Sequence, residues 1–217
     1  EHFNFWFQEV AEYDTAEMHR VISQELNVAP EKIASFDYYS LLKTQNINTI
    51  NKIIANYQKA TNTPAKSFRN INLDELREIQ RSDLVTIGAH TLTHPILHNE
   101  TPERSEVEIV ESISKLEKLL GNEVRYFAYP NGRYGFDYGE REIEILRKTN
   151  VKLAFSTEPH FVNAKSNPLR MPRIGVTKGS IREIKLKLLL GSWWETLKYI
   201  GKTSEIEKKK QINILLQ

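Results

Sequence analysis

The chain has 217 residues, 40% hydrophobic and 27% charged, which is enough for one domain with a substantial core and too apolar for a disordered chain. A formal charge of +2, from 30 basic against 28 acidic residues, supplies no field to draw in a polyanion, so nucleic acid is excluded as a first partner. There is no cysteine, so disulfides and thiolate ligands are excluded and any metal must sit on His, Asp or Glu.

Glu1 leads directly into the aromatic cluster "HFNFWF". No basic, apolar and small-residue succession of a secretory signal precedes that cluster, so the chain reads as processed or as part of a longer one. No apolar run approaches the roughly 20 residues needed to cross a bilayer. Residues 1–70 read as mostly helical, with Ile47, Ile50, Ile54 and Tyr57 on one stripe and Pro30 and Pro64 as punctuation.

From Asn72 the pattern becomes a regular alternation. Asn72 and Glu75 form a capping-box pair that opens a short helix to about Arg81, and "LVTI" (84–87) predicts a short strand. Thr101 as N-cap and Pro102 at the first helical position open a long helix with Ile109, Ile113, Leu116 and Leu120 on one face, closed by Gly121. "VRYFAY" (124–129) predicts a second strand, "YGEREIEILRKTN" a second long helix and "VKLAFS" (151–156) a third strand. Farther on, "IKLKLLLGSWWETLKYIGK" predicts a helix docked through Leu186, Leu189 and Leu190, with a helix lying on a membrane surface as the competing expectation. "EIEKKKQ" reads as a frayed helix or tail.

Strands alternating with helices imply right-handed crossovers and a parallel sheet, either doubly wound or part of a (β/α) barrel. Both architectures place ligands at the carboxyl ends of the strands. The segments following the three predicted strands are "GAHTLTHP", "PNGRYG" and "STEPH", and they should converge on one rim.

His90 and His94 are four residues apart and Pro95 follows them. That spacing sets two imidazoles within bite of one ion. Pro95 disfavours helical geometry at His94, which places the pair at a strand-to-loop transition. Catalytic zinc takes three protein ligands and keeps one open position. Asp83, His98, Glu100, Glu158 and His160 are the candidates for a third ligand, and spacing singles out none of them. Taken alone, "PNG" is equally an ordinary turn and Arg125 a strand-edge charge.

Three segments together resemble a known family. "HTLTHP" is similar to the zinc-binding motif of the polysaccharide deacetylases (carbohydrate esterase family 4), which reads His, Ser or Thr, two variable residues, His, Pro. "RYFAYPNG" resembles the next motif in the form used by the bacterial exopolysaccharide branch, and "NPLRMPRIGV" resembles that branch's later segment. The resemblance runs over about residues 72–176. It implies an α/β fold, a distorted (β/α) barrel incomplete at its N-terminus, in which 71–190 is the barrel core, 1–70 a helical insertion or lid and 191–217 a C-terminal helix and tail.

The resemblance also implies a metal-dependent hydrolase that removes acetyl groups, N-acetyl foremost, from a polysaccharide of the cell envelope or extracellular space. His90 and His94 would hold zinc or another divalent metal, the backbone N–H of Asn131 would help hold the oxyanion, and Arg125 would orient the general base. Tyr129 and Pro130 would shape the substrate-binding floor. Two of the family's motifs are missing. The Thr-Phe-Asp-Asp strand that supplies the base and third ligand has no counterpart beyond the single Asp37 of "SFDYY", and no histidine follows His160 to act as general acid. The chain therefore reads as the C-terminal portion of an enzyme whose site is completed by an upstream segment or by a second copy. The competing expectation is a non-catalytic glycan-binding module on a degenerate deacetylase fold, with Trp6, Tyr129 and Tyr134 as stacking surfaces.

Overall fold

The computed structural model describes residues 4–67, 70–82, 84–175, 179–191, 193 and 204–216. Two hydrophobic cores organise them. The first is helical. Asp14, Asp37 and Asn46 each accept a backbone N–H across the first turn and so start α2 (Thr15–Leu26), α4 (Tyr38–Leu42) and α5 (Ile47–Thr61). Together with α1 (Trp6–Glu9) and α3 (Pro30–Ile33), these helices bury Trp6, Met18, Ile22, Leu41, Ile50 and Ile53. The single aspartate of "SFDYY" is thus a helix cap.

The second core lies under a small parallel sheet. α6 (Leu73–Gln80) opens on the reciprocal Asn72–Glu75 box. In α7 (Pro102–Leu120), Thr101 caps the start and Gly121, at φ 71°, closes the end in the left-handed conformation. β1 (Tyr126–Ala128) pairs in parallel with β2 (Leu153–Phe155), and α8 (Glu140–Arg147) crosses between them. Single bridges extend the sheet at both edges, Ala89 to Phe127 and Phe155 to Met171. Among the described residues the spatial order is therefore the chain order: Ala89, β1, β2, Met171. Ile109, Ile113, Phe127, Ile143, Leu146 and Ala154 fill the space between sheet and helices.

Two expectations need correction. "LVTI" is not a strand: Leu84 is 94% exposed, a gap separates Val85, Thr86 and Ile87 from Asn122, Glu123 and Arg125, and pairing begins only at Ala89. A cleft of about 450 Å³ opens there beside Gly88, Ala89, His90, Phe127, Ala128 and Phe155. Among the described residues the sheet is a short open one and closes no barrel. The "EIEKKKQ" tail is an ordered helix, α10 (Glu205–Leu215), capped by Ser204 and anchored by fully buried Ile212 in the helical core.

α9 (Ile181–Leu190) also differs from expectation. None of its residues is buried, and Leu186 and Leu189 are exposed, so it does not dock through them. The rest of that predicted stretch, apart from Gly191 and Trp193, lies outside the described residues. Among the described residues no helix is long and apolar enough to cross a membrane.

Polar contacts join the two cores. The Asn99 side-chain amide donates to the carbonyls of Lys43 and Gln45 at 3.0 and 2.9 Å. Lys209 of α10 donates to the Phe136 carbonyl at 2.6 Å. Glu100, 7% exposed, accepts the Ile47 N–H at 2.7 Å. Burial pushes its carboxyl up from the ordinary value of 4.5, and this outweighs the lowering effect of the Ile47 bond. A raised folded-state value contributes stability that is complete below the unfolded pKa and is lost as pH rises through the folded one. Glu100→Gln keeps an acceptor for Ile47 and removes the ionisation. Urea melts from pH 4.5 to 7 should therefore show the variant gaining on the wild type as pH rises.

Candidate metal-binding rim

Ala89 joins the edge of β1 through two backbone bonds, Ala89 N–H to Tyr126 O and Ala128 N–H to Ala89 O, both 2.9 Å. The chain leaves the sheet at His90. Thr91 and His94 both take positive φ, 64° and 56°. Each such non-glycine conformation costs about 1–2 kcal/mol, and two of them fold the four-residue interval back on itself. The result is two imidazoles 4.8 Å apart between centroids at an interplanar angle of 79°. The pair lies at a strand-to-loop transition, as Pro95 requires, and its spacing comes from left-handed residues in place of a helical turn.

A carboxylate holds that loop. Glu108 of α7 is fully buried and accepts the N–H groups of Leu92 and Thr93, each at 2.9 Å, and the Thr93 hydroxyl at 2.7 Å. Arg104, one turn earlier on α7, pairs with it at 2.6 Å. Nothing in the local sequence marks Glu108 for this task, because its partners lie 15 and 16 residues away.

Both imidazoles present a free nitrogen. His90 Nδ1 bonds the Ala128 carbonyl at 2.6 Å. A carbonyl can only accept, so Nδ1 carries the proton and Nε2 keeps its lone pair. His94 Nδ1 is buried and has no hydrogen-bond partner. Burial, and secondarily the charge of His90, pushes the His94 pKa down to about 4, and burial also lowers His90. At neutral pH the rim therefore holds two neutral imidazoles, the form that ligates metal.

Asn131 follows the carboxyl end of β1, at φ 57°. Its backbone N–H has no acceptor among the described residues, and its side-chain Nδ2 is buried and unpartnered. Thr157 anchors this turn from the end of β2, donating its hydroxyl to Asn131 O at 2.5 Å and its N–H to Gly132 O at 2.8 Å. The carboxyl ends of neighbouring parallel strands thus bring two neutral imidazoles and spare N–H donors to one rim.

Other expected residues sit elsewhere. Arg125 lies at the opposite end of β1, exposed and paired with Glu123 at 3.1 Å, so the geometry does not bring it to the imidazoles. Tyr129 is fully buried, donates to Leu169 O at 2.8 Å and stacks on Tyr138 at 3.6 Å; Pro130 is buried too. Both support the rim from beneath and present no surface to a substrate.

Of the third-ligand candidates, Glu158 is held in a two-point pair by Arg170, at 2.7 and 2.8 Å. Glu100 faces Ile47, His98 and His160 are exposed, and Asp83 lies outside the described residues. Among the described residues no group of three His, Cys, Asp or Glu could hold a metal. Arg173, within the "NPLRMPRIGV" segment but with no role assigned from it, is a neighbour the motifs did not single out. Its Nε donates to Ser156 O at 2.6 Å, and its charge contributes to the lowering of the His90 pKa.

The family model described as polysaccharide deacetylase matches residues 31–154, more than half of the 217. The chain belongs to the polysaccharide deacetylase family. The match begins well before residue 72, where the motifs start, and takes in α4 and α5 of the helical core. Two solved structures are similar. The Streptococcus pyogenes deacetylase PplD in complex with acetate is 19% identical, with 83% of this chain and 90% of that one covered at a TM-score of 0.49. A de-N-acetylase from Aggregatibacter actinomycetemcomitans is 17% identical, with 65% and 71% covered at a TM-score of 0.43. No curated protein matches the chain. At these identities and scores the superpositions carry no argument, and membership of the deacetylase family rests on the match over residues 31–154.

Proposed function

We propose that this deacetylase-family chain carries half of a metal-dependent site that hydrolyses acetyl groups, N-acetyl foremost, from an acetylated polysaccharide of the cell envelope or extracellular space. The observation that carries the proposal is the His90–His94 pair at the carboxyl end of a parallel sheet, with one ring nitrogen buried and unpartnered. Such a nitrogen costs about 1–3 kcal/mol if nothing completes it, which suits a position that a ligand fills. Two neutral imidazoles supply two of the three protein ligands of a catalytic zinc. The third ligand and the general base come, on this proposal, from chain outside the described residues, entering along the open edge at Ala89. A second copy of the chain is the alternative source.

When bound, the metal supplies Lewis-acid polarisation of the acetyl carbonyl and a water of lowered pKa. The remaining work is done by the protein. The Ala128 carbonyl fixes the His90 tautomer, burial keeps His94 neutral, and Glu108 keeps the loop between them in register. The Asn131 N–H donates to the acetyl oxygen as negative charge gathers there, a contribution that grows from ground state to transition state. Release of acetate from N-acetylglucosamine oligomers by the zinc-loaded full protein tests the proposal. His90→Ala should lower the rate at least a thousandfold. Release unchanged by that substitution and by chelators would contradict it, and zinc-independent sugar binding without turnover would favour the binding-module alternative.

A further inference from the structure

His94 is gripped from a second direction, by the helical core. The Trp6 indole N–H donates to the His94 carbonyl at 3.2 Å across 88 residues of sequence. Phe5 and Phe7, on either side of Trp6, set their rings 5.3 and 4.9 Å from the His94 imidazole centroid. Trp6 itself is 3% exposed and belongs to the helical core. His94 needs such a grip. Its φ of 56° is a costly conformation, and Pro95 disfavours the right-handed alternative. A residue so placed persists only where its surroundings over-determine it. Glu108 fixes the loop up to Thr93 and leaves the His94 carbonyl free, whereas Trp6 takes that carbonyl and the phenylalanines enclose the ring.

We propose that Trp6, with Phe5 and Phe7, is a positioning group for His94, so that the helical region is a built-in wall of the metal site and sets its affinity. This rests on the reading of His90 and His94 as metal ligands. The indole bond orients the backbone from which the imidazole projects, and the phenyl rings restrict its rotation. Loss of an outer group that orients a ligating histidine weakens metal binding about 10–100-fold.

The test is a zinc titration of the full protein followed by the ring-proton resonances of His90 and His94, with cobalt substituted in parallel to read ligand geometry from its visible spectrum. Trp6→Phe deletes the donor and keeps an aromatic ring in the core; it should bind zinc about tenfold more weakly and shift the cobalt bands. Ile53→Val loosens the same helical core without touching His94 and should lower the melting temperature at wild-type affinity. Should Trp6→Phe fail to fold, Phe7→Leu decides the matter, with weaker zinc binding expected. Wild-type affinity and spectrum in the Trp6 or Phe7 variant, or an equal loss in Ile53→Val, would overturn the positioning role while leaving the metal site standing. Zinc binding that His94→Ala does not alter would instead remove the metal reading itself, and the proposal with it.

Discussion

Glu108→Ala is expected to release the segment between His90 and His94, lowering stability by about 3 kcal/mol and weakening zinc binding by at least tenfold. Removing one member of a buried ion pair typically costs about 3–5 kcal/mol, because the partners it satisfied stay behind without compensation. Here those partners are two loop N–H groups, a hydroxyl and the Arg104 guanidinium. The Arg104 side chain is 38% exposed and can turn to water, which places the loss at the low end. The effect on zinc has a separate origin. Thr91 and His94 hold left-handed conformations that the free loop would leave, and the two imidazoles would then separate. Glu108→Gln keeps one acceptor oxygen and should fall between wild type and alanine. Urea denaturation and a zinc titration on the same samples read both effects.

Gly132→Ala is expected to do the opposite, leaving zinc in place and lowering acetate release about a hundredfold. Gly132 has φ 80°, a region that L side chains rarely adopt, and a Cβ there would stand 3.0 Å from Thr157 N and 3.1 Å from Tyr129 O. Those are backbone atoms of β2's continuation and of buried Tyr129, and neither can yield cheaply. Strain of this kind costs about 1–3 kcal/mol. It is relieved by moving the turn, which on the proposed mechanism carries the Asn131 N–H away from the acetyl oxygen. Misplacement by about 1 Å is enough for a hundredfold loss. Zinc affinity should be unchanged, since Ala128 holds His90, Trp6 holds His94 and Glu108 holds the loop between them, all away from Gly132. Zinc binding and single-turnover acetate release on one preparation separate the two halves of the rim.

The legible elements are those whose signals are local. Thr101, Pro102 and Gly121 bound α7 because caps act within one turn, and the isoleucine stripe of α5 reports burial of one face. β1 and β2 fall inside the expected runs, and the convergence of "HTLTHP" with "PNG" follows from parallel pairing. Strand formation in "LVTI" needs a partner, and propensity says nothing about one. Which end of a strand faces the site decides the place of Arg125. Three residues of register separate it from Ala128, beside the imidazole, and no pattern of residue types reveals that. Tyr129 reads as polar or apolar until its stacking on Tyr138 is seen. The lysine run of α10 resembles a solvated tail, while Ile212, with Leu215 packed beside it, ties the helix to the core. Glu108 and Trp6 were out of reach for a further reason: their partners lie far off in sequence, and neither stands in a motif.

The most direct test of the central claim is a calorimetric titration of zinc into the metal-free full protein, beside His90→Ala and His94→Ala. One-to-one binding in the wild type that is lost in both variants is the predicted result. Binding of unchanged stoichiometry and affinity in both variants would contradict it.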